Sequence, residues 1–323
     1  MFPEDSFRVN ELGFNSDSKP LIAVTMATSR QGIGVVRHLS ESNRFDIRAI
    51  TRNTNSKASR YLKTLKNVNV VSGNLLNPES LEDCFHGAYG VFGNTSPTKP
   101  WGMDKKYEQM QGENLIKAVS SSYKNGFTKH FVFSSICKPK KNLNVENAPS
   151  HFATKWGLEE LIKISGIAAF TTVLRPASYY ENFEKTLPGI NLKNNIFTGV
   201  VSPNNKWQTL AVDDIGLWTC SAFKNPQKLI GQALNLACEE LTGNEMAQVF
   251  QIIGNGYMKN IEYKMIPRPI MKLIECDIAT MATWIENEGY GADIIELKKL
   301  AIDLDIKMTS LKSWFKNKIR KHK

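Results

Sequence analysis

Cysteine is scarce in this chain. Five residues in 323, Cys84, Cys137, Cys220, Cys238 and Cys276, are too few and too scattered for a disulfide framework. They form no Cys-x-x-Cys pair and have no histidine at ligand spacing, so no metal site is expected. Cys137, just past Ser134-Ser135, reads as a buried, inert thiol. Long apolar runs are also missing: none approaches the ~20 residues that cross a bilayer, so no membrane association is expected. Met1-Phe2-Pro3-Glu4-Asp5-Ser6 lacks the basic start and apolar core of a signal peptide. Residues 1–18 therefore read as a polar lead-in, and a reducing cytoplasm as the compartment. Acidic residues are absent between Lys307 and Lys323, where seven Lys and Arg side chains supply most of the net charge of +10. A terminal basic helix of this kind is a solvated face, and no zinc-finger spacing or RNP aromatic box accompanies it. Nucleic acid is thus not an expected partner.

What is present begins with Leu21 to Arg52. Leu21-Ile22-Ala23-Val24 is a short apolar run ended by small and polar residues, the pattern of a strand buried on both faces of a parallel sheet. From Gln31 onward, Ile33, Val35, Val36 and Leu39 recur at helical spacing, so the turn between must open a helix N-terminus. Backbone N–H groups and the helix dipole there attract a pyrophosphate. Glycine is scarce where such a turn wants it. The G-x-x-G-x-x-G positions fall on Met26, Ser29 and Gly32, and only the last role, close helix-to-strand packing, is plainly kept. Thr28, Ser29, Arg30 and Gln31 offer hydroxyl, amide and cationic partners for phosphate instead. A second strand, Phe45 to Thr51, delivers Arg52 at its carboxyl end, about 20 residues beyond Gly32. An acidic residue there would hold the ribose 2′-OH of NAD, whereas arginine suits the 2′-phosphate of NADP, with Lys57 adding charge. The expected ligand is a dinucleotide, NADP(H), with NAD(H) weaker.

Strand and helix keep alternating, the sign of a doubly wound parallel sheet. Strands are expected at Asn67–Ser72, Ala88–Phe92, Lys129–Ser135 and Ala169–Leu174, with helices at Pro78–Phe85 and Tyr107–Tyr123. Asn94 and Thr95 lie in the loop after the fourth strand, at the sheet edge where open α/β folds bind ligands. His151 and Lys155 fall one turn apart on one helix face. Beyond residue 183 the rhythm changes to shorter strands and helices. The chain therefore reads as α/β: a Rossmann-type dinucleotide-binding domain over 19–183 and a smaller, intertwined α+β lobe over 184–323.

The segments VTMATSRQG, RAITRN and VVSGNLLNPESL, followed by His151-x-x-x-Lys155 where a reductase carries Tyr-x-x-x-Lys, resemble the NmrA-like family of atypical short-chain dehydrogenases. The resemblance runs from about Lys19 to Phe315. It implies that Asn74 replaces the family's usual aspartate beside the adenine, with Leu75 next to it. Arg175 to Phe183 matches the family's R-P-x-x-Y-x-E-N-F segment, which implies that Tyr179 and Asn182 border the nicotinamide. In short-chain dehydrogenases a serine just past the fifth strand holds the substrate carbonyl; by register that place falls on Ser135, or on Ile136, which cannot perform the role. Lys155 would clamp the nicotinamide ribose. His151 stands where the proton donor would be. Imidazole can pass protons, yet a neighbouring ammonium disfavours its charged form, so His151 reads first as a helix-face residue beside the cofactor and second as a catalyst. Two functions follow from the resemblance. One is an NADP(H)-binding regulator or redox sensor without robust dehydrogenase activity, with a protein partner. The other is an NADPH-dependent reductase of a quinone or enone, with that small molecule in the cleft between the lobes.

Overall fold

The computed structural model describes residues 19–99, 102–139, 148–184, 189–191, 194–254, 260–274 and 276–320. The lead-in expected over 1–18 lies outside them. Leu21–Val24 forms β1 inside a seven-stranded parallel sheet, flanked by β2 (Asp46–Thr51) and β3 (Val68–Ser72) on one side. On the other side come β4 (Gly90–Gly93), then the strands His130–Ser134, Thr171–Pro176 and Ala233–Leu236. Both faces are buried, and the pleat divides them: Ile22 and Val24 belong to one core cluster, while Ala23 belongs to the other. That is why the strand sequences run continuously apolar. The order reverses at β1, so the crevice outside the carboxyl ends of β1 and β4 is the topological switch point of the sheet.

Helix α1 (Arg30–Ser42) covers one face and packs against the helix Asp214–Lys224. The approach depends on glycine. A Cβ on Gly216 would lie 2.5 Å from the carbonyl carbon and oxygen of Gly34. α2 (Lys57–Leu62) lies beside α1 on the same face, while α3 (Pro78–Phe85) and α4 (Lys105–Lys124) cover the other, where α5 (Ser150–Ile164) packs on α4. Helix Asp214–Lys224 and strand Ala233–Leu236 lie beyond residue 183 in sequence but build onto the large sheet, while two three-stranded sheets and the remaining helices form the smaller lobe. The terminal helix Leu311–Arg320 buries Leu311, Trp314 and Phe315, the last 4.6 Å from the Phe250 ring, and leaves Lys312 and Lys316 exposed. Among the described residues no helix is long and apolar enough to cross a membrane.

Candidate functional site

The β1–α1 turn is tight although Met26 and Ser29 stand at two of its three glycine positions. Met26, at the first glycine position, adopts a left-handed backbone with φ of +47°. Such a conformation costs a non-glycine residue roughly 1–2 kcal/mol. Backbone bonds hold the turn closed, from Ala27 N to Ile50 O at 3.0 Å and from Ser29 N to Met26 O at 2.9 Å. Ser29 caps α1, its hydroxyl oxygen accepting from Gly32 N–H at 3.0 Å. At Gly32 nothing larger fits: a Cβ would stand 2.2 Å from Met26 O and 2.7 Å from Ala27 Cα. An amide-lined helix N-terminus with a backbone packed this closely suits a pyrophosphate.

Two cavities of about 340 and 300 Å³ meet at Met26, Ser29 and Ser96 to make one trough along the carboxyl edge of the sheet. Each falls within the ~300–1,000 Å³ of small-molecule sites. Thr28, Arg52, Asn74 and Leu75 line the first half, at the end of β2. Arg52 is exposed and donates to the Tyr107 hydroxyl at 3.2 Å. Thr28 and Thr51 hydroxyls lie 3.1 Å apart. Lys57 is the exception among the residues expected at the phosphates. The Asn53–Ser56 turn carries the chain away, Ser56 caps α2, and Lys57 stands exposed outside both halves.

The second half, beyond the pyrophosphate turn, gathers Arg30, Gln31, Asn94, Thr95, Ser135, His151, Lys155, Tyr179 and Asn182. Several donors expected to meet ligand are already engaged. The buried Lys155 ammonium donates to Asn94 Oδ1 at 3.1 Å, Thr95 O at 3.1 Å and Ser134 O at 3.0 Å, and lies 3.4 Å from Glu108 Oε1. Burial pulls its pKa below the usual range, and the Glu108 carboxylate opposes that. Ser135 donates its hydroxyl hydrogen to Glu159 Oε1 at 2.5 Å, which takes that proton away from any substrate carbonyl. Gln31 bridges Tyr179 OH at 2.7 Å and Ser134 Oγ at 2.8 Å, and burial keeps the Tyr179 phenol protonated by raising its pKa. Cys137 is fully buried, its thiol pushed up to about 12 by that burial, in keeping with an inert residue.

His151 has a partner that sequence spacing did not indicate. Its Nδ1 meets Asp277 Oδ2, from the helix Cys276–Asn287, and Asp277 Oδ1 also accepts Ser150 N–H at 2.8 Å. This carboxylate ties the N-terminus of α5 to the helix Cys276–Asn287. Behind it Phe152, Trp156, Trp284 and Tyr290 pack edge to face. Burial would raise the Asp277 pKa, but the His151 and Ser150 bonds override it and hold the carboxyl at about 2. A depressed carboxylate pKa stabilises the fold above its unfolded value of about 4 and loses that contribution as pH falls toward 2. Asp277→Asn should therefore remove up to about 2 kcal/mol at neutral pH and flatten the acid limb below pH 4. Urea unfolding from pH 7 to 2.5 measures it; parallel curves for parent and variant would disprove this role.

A model of the NmrA-like family matches residues 18–318. The chain belongs to the NmrA-like family. Its relatives include an NmrA-like family domain-containing protein of Dictyostelium discoideum, 24% identical over 91% of this chain and 96% of that one. An NmrA-like family domain-containing oxidoreductase, FrzB, from a Cladobotryum species is 31% identical over half of this chain, and the match spans 48% of FrzB. Among solved structures, NmrA, a negative transcriptional regulator, superposes with a TM-score of 0.73 at 20% identity, covering 93% of this chain and 95% of NmrA. NmrA has been solved in complex with NAD and with NADP. The NADPH-dependent quinone oxidoreductase QOR2 of Escherichia coli, in complex with NADPH, gives a TM-score of 0.71 at 17% identity over 92% of this chain and 99% of that one. At these identities the structural likenesses establish the Rossmann-like fold.

Proposed function

We propose that this NmrA-like protein binds NADP(H) in the trough and acts as a regulator that responds to the cofactor, without robust dehydrogenase activity. The observation that carries the reading is the state of the second half of the trough. The backbone closes tightly at Gly32, while Ser135 and Lys155 are committed to internal acceptors and histidine replaces the tyrosine. When bound, the cofactor would supply a hydride donor or acceptor; the chain's own residues bind and orient it. The α1 N-terminus and Arg30 meet the pyrophosphate, and Arg52 meets the 2′-phosphate.

With Lys57 outside the trough, the preference for NADP(H) over NAD(H) rests on Arg52. One charge-assisted hydrogen bond at an exposed site favours the phosphorylated form by about tenfold. Arg52→Asp should erase that preference, read by calorimetry with both dinucleotides; equal affinities in the parent would refute the assignment.

A second reading, an NADPH-dependent quinone or enone reductase, draws support from the His151–Asp277 pair. A carboxylate on Nδ1 fixes the orientation of the imidazole, and His151 lines the second half of the trough, where its ring could take part in proton transfer. Turnover of NADPH with a panel of quinones and enones separates the two readings. A reductase of this type should lose roughly 10²- to 10⁴-fold in rate on His151→Ala. Absence of turnover with retained binding favours the regulator.

A further inference from the structure

The open hydrogen-bonding valence in the second half of the trough belongs to Glu108 and is an acceptor. Glu108 sits in the first turn of α4, fully buried yet lining the trough. Its Oε1 accepts from the Thr95 hydroxyl at 2.9 Å and faces Lys155 Nζ at 3.4 Å. Its Oε2 has no hydrogen-bond partner among the described residues. A buried carboxylate oxygen left this way bears its full desolvation penalty until something donates to it. Lys155 cannot be that donor and a ligand clamp together, because an ammonium has three N–H groups and Asn94 Oδ1, Thr95 O and Ser134 O occupy them.

The polarity of the missing contact follows. A phosphate or a carbonyl would set an acceptor against Oε2 and be repelled, whereas a hydroxyl or amide N–H is matched. The first half of the trough lies beside Arg52 and the pyrophosphate turn separates the halves, so a dinucleotide bound here brings its nicotinamide ribonucleoside to Glu108. We propose that Glu108 is a ligand-binding residue whose Oε2 accepts a hydrogen bond from an uncharged donor on the nicotinamide ribonucleoside, a ribose hydroxyl or the carboxamide N–H. Lys155 then serves as the counter-charge 3.4 Å from Glu108 Oε1, and the grip expected of the lysine passes to the glutamate. The proposal rests on the dinucleotide-binding reading and states which residue anchors the nicotinamide half.

The test is calorimetric, with the full chain, its Glu108→Gln variant and four ligands: NADP⁺, adenosine 2′,5′-bisphosphate, the 3-acetylpyridine analogue of NADP⁺ and a nicotinamide-ribose deoxy analogue. The bisphosphate reaches only the first half. Glu108→Gln should weaken NADP⁺ about ten- to a hundredfold and leave the bisphosphate within twofold. In the parent, the acetylpyridine analogue lacks the carboxamide N–H and the deoxy analogue lacks the hydroxyl, so whichever shows the same loss names the donor. If the variant does not fold, the parent decides alone, since one of the two analogues must still lose that factor. Unchanged NADP⁺ affinity in the variant, an equal loss for the bisphosphate, or full affinity for both analogues overturns the assignment. A parent that binds the bisphosphate as tightly as NADP⁺ overturns it while leaving adenosine-side binding in place. A parent that binds no ligand removes the dinucleotide reading and this proposal with it.

Discussion

Glu159→Ala should destabilise the protein by about 3–5 kcal/mol, the cost of removing one partner from a buried ion pair. Glu159 lies on α5, 2% exposed, and collects four bonds from three places. Arg175 Nε and Nη2 reach it at 2.9 and 2.6 Å, Lys138 Nζ at 2.9 Å and Ser135 Oγ at 2.5 Å. Burial alone would raise its pKa, yet Arg175 above all, with Ser135 and Lys138, holds it below the usual carboxylate range. Deleting the carboxylate would strand a guanidinium and an ammonium with no counter-charge there. The loss would reach the trough as well, because Ser135 follows one strand directly and Arg175 opens the segment that carries Tyr179 and Asn182. Since the folded pKa is lowered, the stabilisation is present above the unfolded value of about 4.3 and fades as pH drops through the folded one. Urea denaturation at pH 7 and pH 4 should thus show a larger gap between parent and variant at the higher pH. A cost under about 1 kcal/mol at pH 7 would mean that solvent already screens this cluster.

Gly32→Ala should cost about 1–3 kcal/mol or more and abolish dinucleotide binding. The new methyl would lie 2.2 Å from Met26 O and 2.7 Å from Ala27 Cα, all backbone, so no side chain can swing aside. The turn or the helix must move, and the amide cradle moves with it. Met26→Gly, six residues earlier, should have the opposite sign. Glycine relieves a φ of +47°, and the gain stays below ~1–2 kcal/mol because the Met26 side chain packs against the second core cluster. Ser29→Gly adds little beside it, since glycine costs only a few tenths at an N-cap. Thermal melts and NADP⁺ titrations of the three variants test the set. A Gly32→Ala protein that binds normally would show that the loop does not hold the pyrophosphate.

The large sheet and the turn were legible because their signals are local. β1 reads as apolar over four residues, α1 shows its period of 3.6 from Ile33 to Leu39, and Pro78–Phe85 forms over the expected span. Positions at strand ends followed from the same logic. Arg52, Asn74, Asn94 and Thr95 all reach the trough, since a parallel sheet places every strand's carboxyl end on one edge. Lys57 lines neither half, because a turn of three or four residues is enough to redirect the chain, and composition does not encode its direction.

The sequence by itself determined the doubly wound sheet, its family and the edge at which a ligand would sit. Only the tertiary structure decided what the polar side chains there are free to do. Asp277 meets His151 from 126 residues away, Glu159 receives Ser135 from the end of one strand and Arg175 from the next, and Glu108 faces Lys155 from another helix. A hydrogen-bond donor's availability depends on which acceptor reaches it first, and in a buried cleft that acceptor comes from wherever packing brings the backbone. Periodicity sets which face a residue occupies; it carries no information about the partner across that face.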